Sequence, residues 1–572
     1  MTDVQLKEIQ AYLEKNKLEC VYVNNPNGDY LFVDININGE EIRLKCIFPV
    51  SFPYTFPKVY ILGEFYKKYK PLPHIQDIDR DGFICTFDSN IVYPNPNMPK
   101  EVTLECIKKA QSIILDGTSG KNYEEFRNEL LDYWELDSSL TADLIFCPQS
   151  SPTELFSYMR NYKFLYLSDS KEKLLNYLFY TKGWRISCSE FTKALFLPIN
   201  GKWYPPFPNN NGEIFNALRE EKYYNAYVKY LKNNKQCHII VFSQIVDDNT
   251  CLAGWIQERK PTPNGFRLNS IVPEYVYGFI HKNVEIKKFT VNQLGHKRLF
   301  ARGGDGKVKE NMKISISGCG SVGSHLASVL VDLGINEFIL IDKEILTADN
   351  IARHYCGASS IREGKAFALK EELLKHFPDM SIEAISKDVF SVIKDNLMVF
   401  NSCDYNFVVV GNIPTENRFI SLFNSGKIKK PVIILWVEPY LMGGHAIILQ
   451  HKQPNVVDKL FDTSYQFKWN ILSDGDKYTK RESGCGSTFL PYSAFEVHQF
   501  LNNIMDYINQ NIFEKKNRQN YLISWCGRLN VARKNKMKLE PQWLSEGNRK
   551  LRVRILNDEN LYDRSKNKTY NK

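Results

Sequence analysis

The sequence predicts a multidomain protein that combines α+β and α/β architecture. Near the N-terminus, segments such as 30–37 alternate apolar and polar residues, as antiparallel strands with one solvent-exposed face do. From about residue 296 to 450, strand-like and helix-like segments alternate instead, which predicts a parallel, doubly wound sheet. The length of 572 residues exceeds one hydrophobic core, so three or four domains are expected at about 150 residues each.

Composition narrows the class of protein. Hydrophobic residues make up 43% of the chain and aromatic residues 13%, so a globular protein is expected rather than a disordered one. No apolar run approaches the roughly 18 residues that a bilayer-spanning helix needs, and the first residues do not read as a secretory signal. The thirteen cysteines include no Cys-x-x-Cys pair, which disfavours a structural zinc site and fits reduced thiols in the cytoplasm.

The positive charge is spread along most of the chain. The net charge of +9 becomes dense only near the end, in residues 549–554 and in the Lys/Asn-rich tail 557–572. A basic stretch of this kind is more often a solvated, frayed terminus than a nucleic-acid site. Neither a nucleic-acid partner nor a membrane is therefore expected.

Residues 1–135 predict a compact α+β module. A helix is expected from Val4 to Lys15, followed by the alternating strands, and a second helix is expected from about Val102 to Leu115. Between them, the proline-rich corner 52–57 interrupts the strands, because proline cannot donate to a β ladder.

Cys85 is the candidate reactive residue of this module. It lies in the segment 73–88, which reads Pro-His-Ile-Gln-Asp-Ile-Asp-Arg-Asp-Gly-Phe-Ile-Cys-Thr-Phe-Asp. Taken alone, such a cysteine is most often a half-buried strand residue. The proline corner, the turn with His74 and the Gly-x-Ile-Cys run resemble the ubiquitin-conjugating enzyme fold, which implies that Cys85 is a catalytic thiol. Where that family has His-Pro-Asn, this chain has His74-Ile75-Gln76, so the asparagine that supports isopeptide formation is missing.

Residues 136–295 carry no reactive constellation, so a linker or docking domain is expected there. Aromatic-rich stretches predict helices at 153–162, 171–180 and 214–232, and His238 begins a strand-like run.

A glycine-rich loop lies near the start of the third domain, which is expected over 296–556. Gly318, Gly320 and Gly323 separate a strand-like run from a helix-like run, where glycine lets the backbone turn tightly and approach a phosphate. The helix N-terminus offers free N–H groups to an anion, and Asp342, at the tip of the next strand, is placed to hydrogen-bond a ribose hydroxyl. By itself this pattern fits NAD as well as ATP.

The stretch after Asp342 favours ATP. It contains Asn350, Arg353 and Lys365, and an adenylating enzyme needs cations because negative charge builds on the phosphates as pyrophosphate leaves. An acidic strand end, then Asn-x-x-Arg, then Gly-Lys resembles the ThiF-type, ubiquitin-activating superfamily. The resemblance implies that Asp342 holds the ribose of ATP and that the other three residues hold its phosphates.

The segment before the loop also resembles this superfamily. It carries Arg298 and Arg302, and the resemblance implies that one of these arginines reaches the nucleotide of a partner subunit. A homodimer through residues 296–450 is therefore expected.

One element of the superfamily pattern differs. The aspartates that follow the next strand, one of them for Mg²⁺, are missing where this chain reads Gly411-Asn412. Asn412 and Glu416 are candidate replacements and Asp404 is a weaker one, so the ligand for Mg²⁺ stays open.

A second candidate nucleophile is Cys485, which lies between two glycines just before the helix expected from Ala494. A helix N-terminus and the nearby Arg481 would lower the pKa of its thiol. A cysteine followed by Ser/Thr, Pro and a small-residue helix resembles the transfer cysteine of the simpler ubiquitin-like activating enzymes. Cys526, in a Ser-Trp-Cys-Gly stretch, is the rival nucleophile.

The order of the domains resembles the fused enzymes of bacterial antiphage operons of the CBASS type. The resemblance implies ATP-dependent adenylation of a protein C-terminal carboxylate, capture by Cys485 as a thioester, transfer to Cys85 and conjugation to an amine. The implied substrate is a nucleotidyltransferase-like synthase (CD-NTase) with a flexible C-terminus. Two alternatives stay open: a sulfur-carrier-protein adenylyltransferase of cofactor biosynthesis, and a binding protein with a degenerate nucleotide site.

Overall fold

The structure is a computed structural model in which the chain divides into two compact units. The first contains residues 1–174 and 187–293, and the second contains residues 175–186 and 294–572. The described residues are 3–25, 29–78, 80–127, 129–201, 203–246, 249–260, 272–481, 488–515 and 518–556.

The first part of the N-terminal unit is the predicted α+β module. Its elements are α1 (Asp3–Lys15), β1 (Glu19–Val23), β2 (Tyr30–Ile37), β3 (Glu40–Ile47), β4 (Lys58–Ile61), α2 (Gly63–Tyr69), β5 (Ile75–Ile78), β6 (Asp81–Ile84), α3 (Pro99–Thr118), a 3₁₀ turn (Tyr123–Arg127) and α4 (Leu130–Leu136). The strands form an antiparallel sheet in the order β1-β2-β3-β4-β6-β5.

Burial follows the alternation that the sequence predicts. In β2, alternate residues such as Leu31 and Val33 are fully buried and their neighbours are not. The buried side chains of β2 and β3 pack with Leu13 of α1 and with Ile107 and Ile114 of α3 in one core. The two helices therefore cover one face of the sheet, and the other face stays open to solvent.

The rest of the N-terminal unit is a closed barrel of seven strands. Its elements are β7 (Ser138–Ile145), β8 (Thr153–Arg160), β9 (Phe164–Ser168), β10 (Thr192–Pro198), α6 (Asn211–Leu218), α7 (Tyr224–Asn233), β11 (His238–Val246), β12 (Asn249–Gln257), α8 (Pro273–Tyr275) and β13 (Lys287–Gln293). Helix α5 (Lys171–Lys182) begins in this unit, and its residues from 175 onward belong to the second unit. The strand order is β10-β11-β12-β13-β7-β9-β8, and β8 closes the barrel by pairing with β10.

Two helix predictions in this region were wrong. Residues 153–162 were expected to be helical, but residues 153–160 form β8, which pairs with β9 and β10. Its buried residues Leu155 and Ser157 alternate with more exposed neighbours, as in a strand. The stretch 214–232 was expected to be one helix, and the structure contains α6 and α7 with a break between them. The side chain of Asn210 caps the first of these helices by accepting a hydrogen bond from the N–H of Glu213.

Helix α4 joins the α+β module to the barrel. Trp134 of this helix is fully buried in the core on the outside of the barrel, and its indole N–H donates to the carbonyl of Phe289 at 3.2 Å. On its other side, the hydroxyl of Tyr133 donates to the carbonyls of Leu72, at 2.6 Å, and Ile75, at 3.0 Å. The helix is therefore fixed to both parts of the unit.

The C-terminal unit is built on a sheet of eight strands. Its elements are α9 (His296–Gly303), β14 (Lys313–Ser317), α10 (Ser321–Asp332), β15 (Glu337–Ile341), α11 (Lys365–His376), β16 (Ser381–Ile385), α12 (Val389–Asp395), α13 (Met398–Asn401), β17 (Tyr405–Val408), α14 (Ile413–Asn424), β18 (Val432–Val437), β19 (Gly443–Leu449), α15 (Val456–Leu460), β20 (Lys480–Arg481), β21 (Thr488–Phe489), α16 (Ala494–Ile508), β22 (Tyr521–Cys526), α17 (Leu529–Lys534) and β23 (Leu551–Ile555). The large sheet has the order β16-β15-β14-β17-β18-β19-β22-β23.

The doubly wound prediction is confirmed for the first five strands of this order, which are parallel. The last three strands extend the sheet in antiparallel fashion. Hydrophobic clusters lie on both faces of the sheet, as expected where helices cover a parallel sheet on two sides. Among the described residues, none of the helices has the length and apolarity needed to cross a bilayer.

Candidate active site

The glycine-rich loop connects β14 to α10, and its three glycines have different structural roles. Gly318 has φ = +96°, and a Cβ atom there would lie 2.6 Å from the carbonyl oxygen of Val409. A Cβ on Gly323 would collide with the carbonyl oxygen of Gly318. At Gly320, by contrast, no atom lies within 4 Å of the position of a Cβ. Gly318 and Gly323 are therefore required by the fold, while Gly320 leaves open space at the start of α10 that suits the approach of a phosphate.

Asp342 lies at the end of β15 and supports this loop. One carboxylate oxygen accepts the N–H of Cys319 at 2.7 Å and the other accepts the N–H of Glu344 at 2.8 Å. Burial raises the pKa of Asp342, and these two N–H donors and the charge of Lys365 partly offset the effect. The carboxylate is thus held beside the loop, with lone pairs left over for a ribose hydroxyl.

The expected phosphate-binding residues lie close to the loop. Lys365 begins α11, is almost fully buried, and places its Nζ atom 2.5 Å from a carboxylate oxygen of Glu344. Arg353 donates from Nη1 to the carbonyl of Leu490 at 3.0 Å and stacks on the ring of Tyr492. Its own carbonyl accepts a hydrogen bond of 2.6 Å from the hydroxyl of Ser321, at the start of α10. These contacts place Arg353 beside the start of α10 and hold the Lys365 side chain against Glu344.

Asn350 has a structural role in addition to the one expected from the sequence. It lies in a 3₁₀ turn, and its side-chain oxygen accepts hydrogen bonds from the N–H and the hydroxyl of Thr347. The residue therefore shapes the turn that leads to Arg353, and its role toward phosphates stays a prediction.

Of the candidate ligands for Mg²⁺, two lie at the nucleotide edge of the sheet. Asn412 follows β17, and its side-chain oxygen caps α14 by accepting from Thr415. Glu416 is buried, accepts the N–H of Asn412 at 3.1 Å, and has its pKa raised by burial to about 7. Asp404 precedes β17 and accepts the N–H of Lys313, the first residue of β14. It therefore lies at the opposite end of the strands and is not placed to hold this metal.

Cys85 follows β6 directly and is exposed. Its N–H donates to the carbonyl of His74 at 2.9 Å, which extends the pairing of β5 with β6. His74 is in turn held by two carboxylates: Glu129 accepts its N–H at 2.8 Å and lies 2.5 Å from Nδ1, and Glu125 lies 2.7 Å from Nε2. Burial, followed by the charges of Glu129, Asp88 and Asp132, raises the pKa of the Cys85 thiol.

The other cysteines differ from Cys85 in exposure. Among the described cysteines, Cys188 is also exposed and the remainder are buried or partly buried. Cys526, the rival nucleophile, is fully buried in β22, and burial raises its pKa to about 11. Cys485 lies outside the described residues, between β20 and β21, which pair with each other. Its assignment as the transfer cysteine stays a prediction.

Three structural partners in these sites were not singled out from the sequence. Glu344 follows Asp342 by two residues, so the acidic pattern of the strand end could have identified it. Ser321 is the x position after Gly320 and could have been weighed as a hydroxyl donor. Glu129 carries no sequence signal, because it lies 55 residues from the His74 that it binds.

Two segments of the chain match models of known protein families. Residues 12–142 match the prokaryotic E2 family B, and residues 293–419 match the ThiF family. The chain thus joins an E2-type domain to a ThiF-type domain. Cys85 lies in the E2-type domain, and the glycine-rich loop with Asp342, Arg353 and Lys365 lies in the ThiF-type domain.

Similar proteins match shorter segments. Two similar proteins are described as ATP-dependent ubiquitin transferase-like protein Cap2. The protein of Pseudomonas aeruginosa is 32% identical over 87 residues, which cover 14% of this chain and 16% of that protein. The protein of Enterobacter hormaechei subsp. hoffmannii is 33% identical over 89 residues, which cover 16% of this chain and 15% of that protein. The tRNA threonylcarbamoyladenosine dehydratase 1 of Saccharomyces cerevisiae is 37% identical over 82 residues, covering 14% and 19%. The chain thus matches less than a fifth of the length of each of these relatives.

The similarity of this chain to solved structures is low, both in TM-score and in sequence identity. The crystal structure of PaaA has a TM-score of 0.28 at 15% identity, and that of Escherichia coli MccB with ATP has a TM-score of 0.27 at 16% identity. Each covers 43% of this chain and 64% of the other chain.

Proposed function

We propose that the chain uses ATP to activate the C-terminal carboxylate of a protein and passes the acyl group through two cysteines to an amine. The observation that carries the proposal is the presence in one chain of an exposed Cys85 in an E2-type domain and of a glycine-rich loop with fixed cations in a ThiF-type domain. A nucleotide-binding protein alone would need only the second of these features. An adenylyltransferase for a sulfur carrier would have no use for the first.

In the first step, an oxygen of the substrate carboxylate attacks the α-phosphate of ATP and pyrophosphate leaves. Gly320 and the N-terminus of α10 accommodate the phosphates, while Asp342 holds the ribose. Arg353 and Lys365 offset the negative charge that grows on the leaving phosphates. Asn412 or Glu416 would hold Mg²⁺, and the ion would neutralise further charge on the phosphates.

In the second step, the Cys485 thiolate attacks the activated carbonyl, AMP leaves, and a thioester forms. The Cys85 thiolate then displaces Cys485, so one thioester replaces another and the exchange is nearly neutral in energy. Burial and the charges of Glu129, Asp88 and Asp132 raise the pKa of the Cys85 thiol, so this thiol loses its proton as it attacks and the leaving Cys485 sulfur gains one. An amine finally takes the acyl group from Cys85.

The similarity to proteins described as ATP-dependent ubiquitin transferase-like, together with the order of the two domains, supports a role in antiphage defence of the CBASS type. There the substrate is a nucleotidyltransferase-like synthase (CD-NTase) whose flexible C-terminus enters the nucleotide site. Helix α9 has no buried residue, which leaves Arg298 and Arg302 available to a second subunit. The proposal therefore includes a homodimer through residues 296–450.

The order of the two cysteines can be tested with ATP, Mg²⁺ and the candidate synthase. The full chain should form an adduct with the synthase that a reductant releases. Cys485→Ala should abolish the adduct at both cysteines, whereas Cys85→Ala should leave the adduct at Cys485, as read by mass measurement of tryptic peptides. Cys188→Ala, at the other described exposed cysteine, is the control and should form adducts as the wild type does. Loss of both adducts in Cys526→Ala, with both kept in Cys485→Ala, would transfer the role of Cys485 to Cys526.

The partner can be tested by capture from cells with the proteins of the neighbouring operon, followed by hydroxylamine release and mass measurement. We expect the synthase, modified at its C-terminus, and a dimer in sedimentation. Capture of a small sulfur-carrier protein and no synthase would favour the biosynthetic alternative. Absence of ATP–pyrophosphate exchange with the synthase would favour a degenerate nucleotide site.

A further inference from the structure

A cavity in the C-terminal unit borders the segment that contains Cys485. Its volume is about 540 Å³, a size typical of pockets that bind small ligands. Tyr478, before β20, and Pro491 and Tyr492, after β21, line this cavity. Cys485 lies between these two paired strands in the sequence. Both ends of the segment that carries the expected transfer cysteine therefore border the cavity, which is called the tyrosine pocket below.

The tyrosine pocket also borders the nucleotide site. The guanidinium of Arg353 stacks on Tyr492, 5.3 Å from the centroid of the ring, and donates to the carbonyl of Leu490 at 3.0 Å. The carbonyl of Arg353 accepts a hydrogen bond from the hydroxyl of Ser321, at the start of α10. One arginine therefore connects the pocket with the helix start to which the proposed function assigns the phosphates.

The backbone is strained where a third tyrosine enters the wall of the pocket. Tyr440 has φ = +55° and Leu441 has φ = +50°, in a region that few residues other than glycine adopt. The N–H of Tyr440 donates to the carbonyl of Pro491 at 2.6 Å, and its side chain is 38% exposed. Strained backbone of this kind concentrates at ligand-binding sites, where the surrounding structure supports it. The turn thus places an open aromatic ring in the wall of the pocket.

The rest of the wall is largely apolar. Met442 and Met537 are buried in a small hydrophobic cluster beneath it, and Val531 of α17 adds a branched side chain. The charged residues in the lining are Glu496 and Arg528, and they pair with each other, Oε1 to Nε, at 3.0 Å. Because these charges compensate each other, the lining favours an uncharged group over an ion. Aromatic rings and methionines suit a large apolar side chain.

We propose that the tyrosine pocket binds a large apolar or aromatic side chain of the protein substrate, a few residues before its C-terminal carboxylate, and thereby selects the substrate. This inference rests on the proposed function and deepens it, because it names the chemistry of the tail that is activated. The carboxylate has to reach the α-phosphate of ATP and then the thiol of Cys485. The pocket borders both Arg353 and the strands that flank Cys485, so a tail held there stays bound during both steps.

The spacing of the anchor follows from the same geometry. Arg353 and the ring of Tyr492 lie between the pocket and the start of α10. An extended chain advances about 3.3 Å per residue, so the anchoring side chain is expected about two to five residues before the carboxylate.

The first test leaves the enzyme unchanged and varies the tail. The probe is the candidate synthase in which each of the four positions before the last residue is changed in turn to alanine, leucine, phenylalanine or aspartate. At one of these positions, leucine or phenylalanine should give a KM for the synthase about 10- to 100-fold lower than alanine in ATP–pyrophosphate exchange. Aspartate there should give a KM at least as high as alanine. The kcat should change little, because the side chain is bound equally before and during the reaction.

The second test fills the pocket. Val531→Trp should raise the KM for the phenylalanine tail about tenfold and leave the KM for the alanine tail and for ATP unchanged. Lys534→Trp, at an exposed position of the same helix outside the lining, is the matched control and should behave as the wild type does. Val531→Asp should reverse the preference, so that a lysine tail is used better than a phenylalanine tail. Exchange of the alanine tail at the wild-type kcat shows that each variant is folded.

The outcomes are distinct. Equal KM values for all tails, or the lowest KM with aspartate, would overturn this inference and leave the proposed function standing. A rise in the KM for ATP with every tail in Val531→Trp would assign the pocket to the nucleotide. Unchanged exchange in Val531→Trp, with loss of transfer to Cys85, would assign it to the transfer step; either result overturns the inference. No exchange with the unaltered synthase would overturn the proposed function and this inference together.

Discussion

The two candidate sites are surrounded by charge of opposite sign. At the nucleotide loop, Arg353 lies beside the start of α10 and Lys365 is held by Glu344, whereas the charges of Glu129, Asp88 and Asp132 act on Cys85 in the E2-type domain. Each sign fits the group that the proposal assigns to the site, since phosphates and a carboxylate are anions and an amine acceptor is a cation. Under the proposed function, the charge at each site would therefore favour its reactant.

The largest effect is expected when the cations at the nucleotide loop are removed. Arg353→Ala or Lys365→Ala should each lower ATP–pyrophosphate exchange by about 10²- to 10³-fold, because each removes a fixed positive charge from the leaving phosphates. The acylation of Cys85 by a peptide thioester, which bypasses ATP, should be unchanged in both variants. This contrast would show that the two sites act separately.

The control for this prediction is Lys387→Ala, which removes a surface lysine paired with Asp395 in the same unit. It should keep the exchange rate of the wild type. Arg353→Lys should not restore activity, because lysine cannot both stack on Tyr492 and present the planar donors of arginine. Wild-type exchange in both alanine variants would exclude these residues from the nucleotide site.

The two sites also differ in how far the sequence predicts them. At the nucleotide loop, Gly318, Asp342 and Lys365 lie within about fifty residues and are joined by one strand–helix–strand succession, so spacing and residue type together predict the geometry. At Cys85 the sequence predicts the thiol and the turn with His74. The sequence does not predict Glu129, which contacts His74 although 55 residues separate the two. No local sequence pattern indicates such a contact.

The sequence predicted the secondary structure of the barrel less well than that of the other domains. Segment 153–162 is rich in aromatic residues and was expected to be helical, but pairing of β8 with both β9 and β10 determines its conformation. Such pairing is non-local, so strand propensity depends on neighbours that the sequence does not identify. The parallel strands of the ThiF-type domain were easier to predict, because each is a short apolar run followed by a helix.

A smaller effect, on stability, should separate the two kinds of glycine in the loop. Gly323→Ala places a methyl group against the carbonyl oxygen of Gly318 and should lower the free energy of unfolding by about 1 to 3 kcal/mol. Gly320→Ala meets open space and should lower it by less than about 1 kcal/mol, the cost of alanine at a helix N-cap. Urea unfolding of the two variants, each beside the wild type, measures the difference.

The same pair of variants tests where the phosphates bind. Gly320→Ala should reduce pyrophosphate exchange although its stability is close to that of the wild type, because the added methyl group occupies the space that the backbone leaves for a phosphate. Exchange at the wild-type rate in a folded Gly320→Ala protein would place the phosphates elsewhere. Both variants should leave the acylation of Cys85 by a peptide thioester intact wherever the protein is folded.

The stability of each unit should also depend on pH. Each contains one buried histidine whose pKa is lowered to about 4: His238 in the barrel, mainly by burial and then by the charge of Arg259, and His325 in α10, mainly by burial and then by His498 and His354. The Nε2 atom of His238 lies 3.0 Å from the hydroxyl of Tyr277, and the Nδ1 atom of His325 lies 2.9 Å from Nε2 of His498. In the unfolded chain both would titrate near 6.5. As the pH falls from about 6.5 to about 4, the unfolded state therefore binds protons that the native state excludes, and the free energy of unfolding falls by up to about 3 kcal/mol for each histidine.

Urea unfolding at pH 7 and pH 5 should show this loss in the wild type. His238→Gln and His325→Gln should each reduce the difference in the free energy of unfolding between the two pH values. The exposed His376→Gln is the control for the substitution itself. A pH difference that is the same in the two buried-site variants as in the wild type would show that other groups dominate the acid limb of both units.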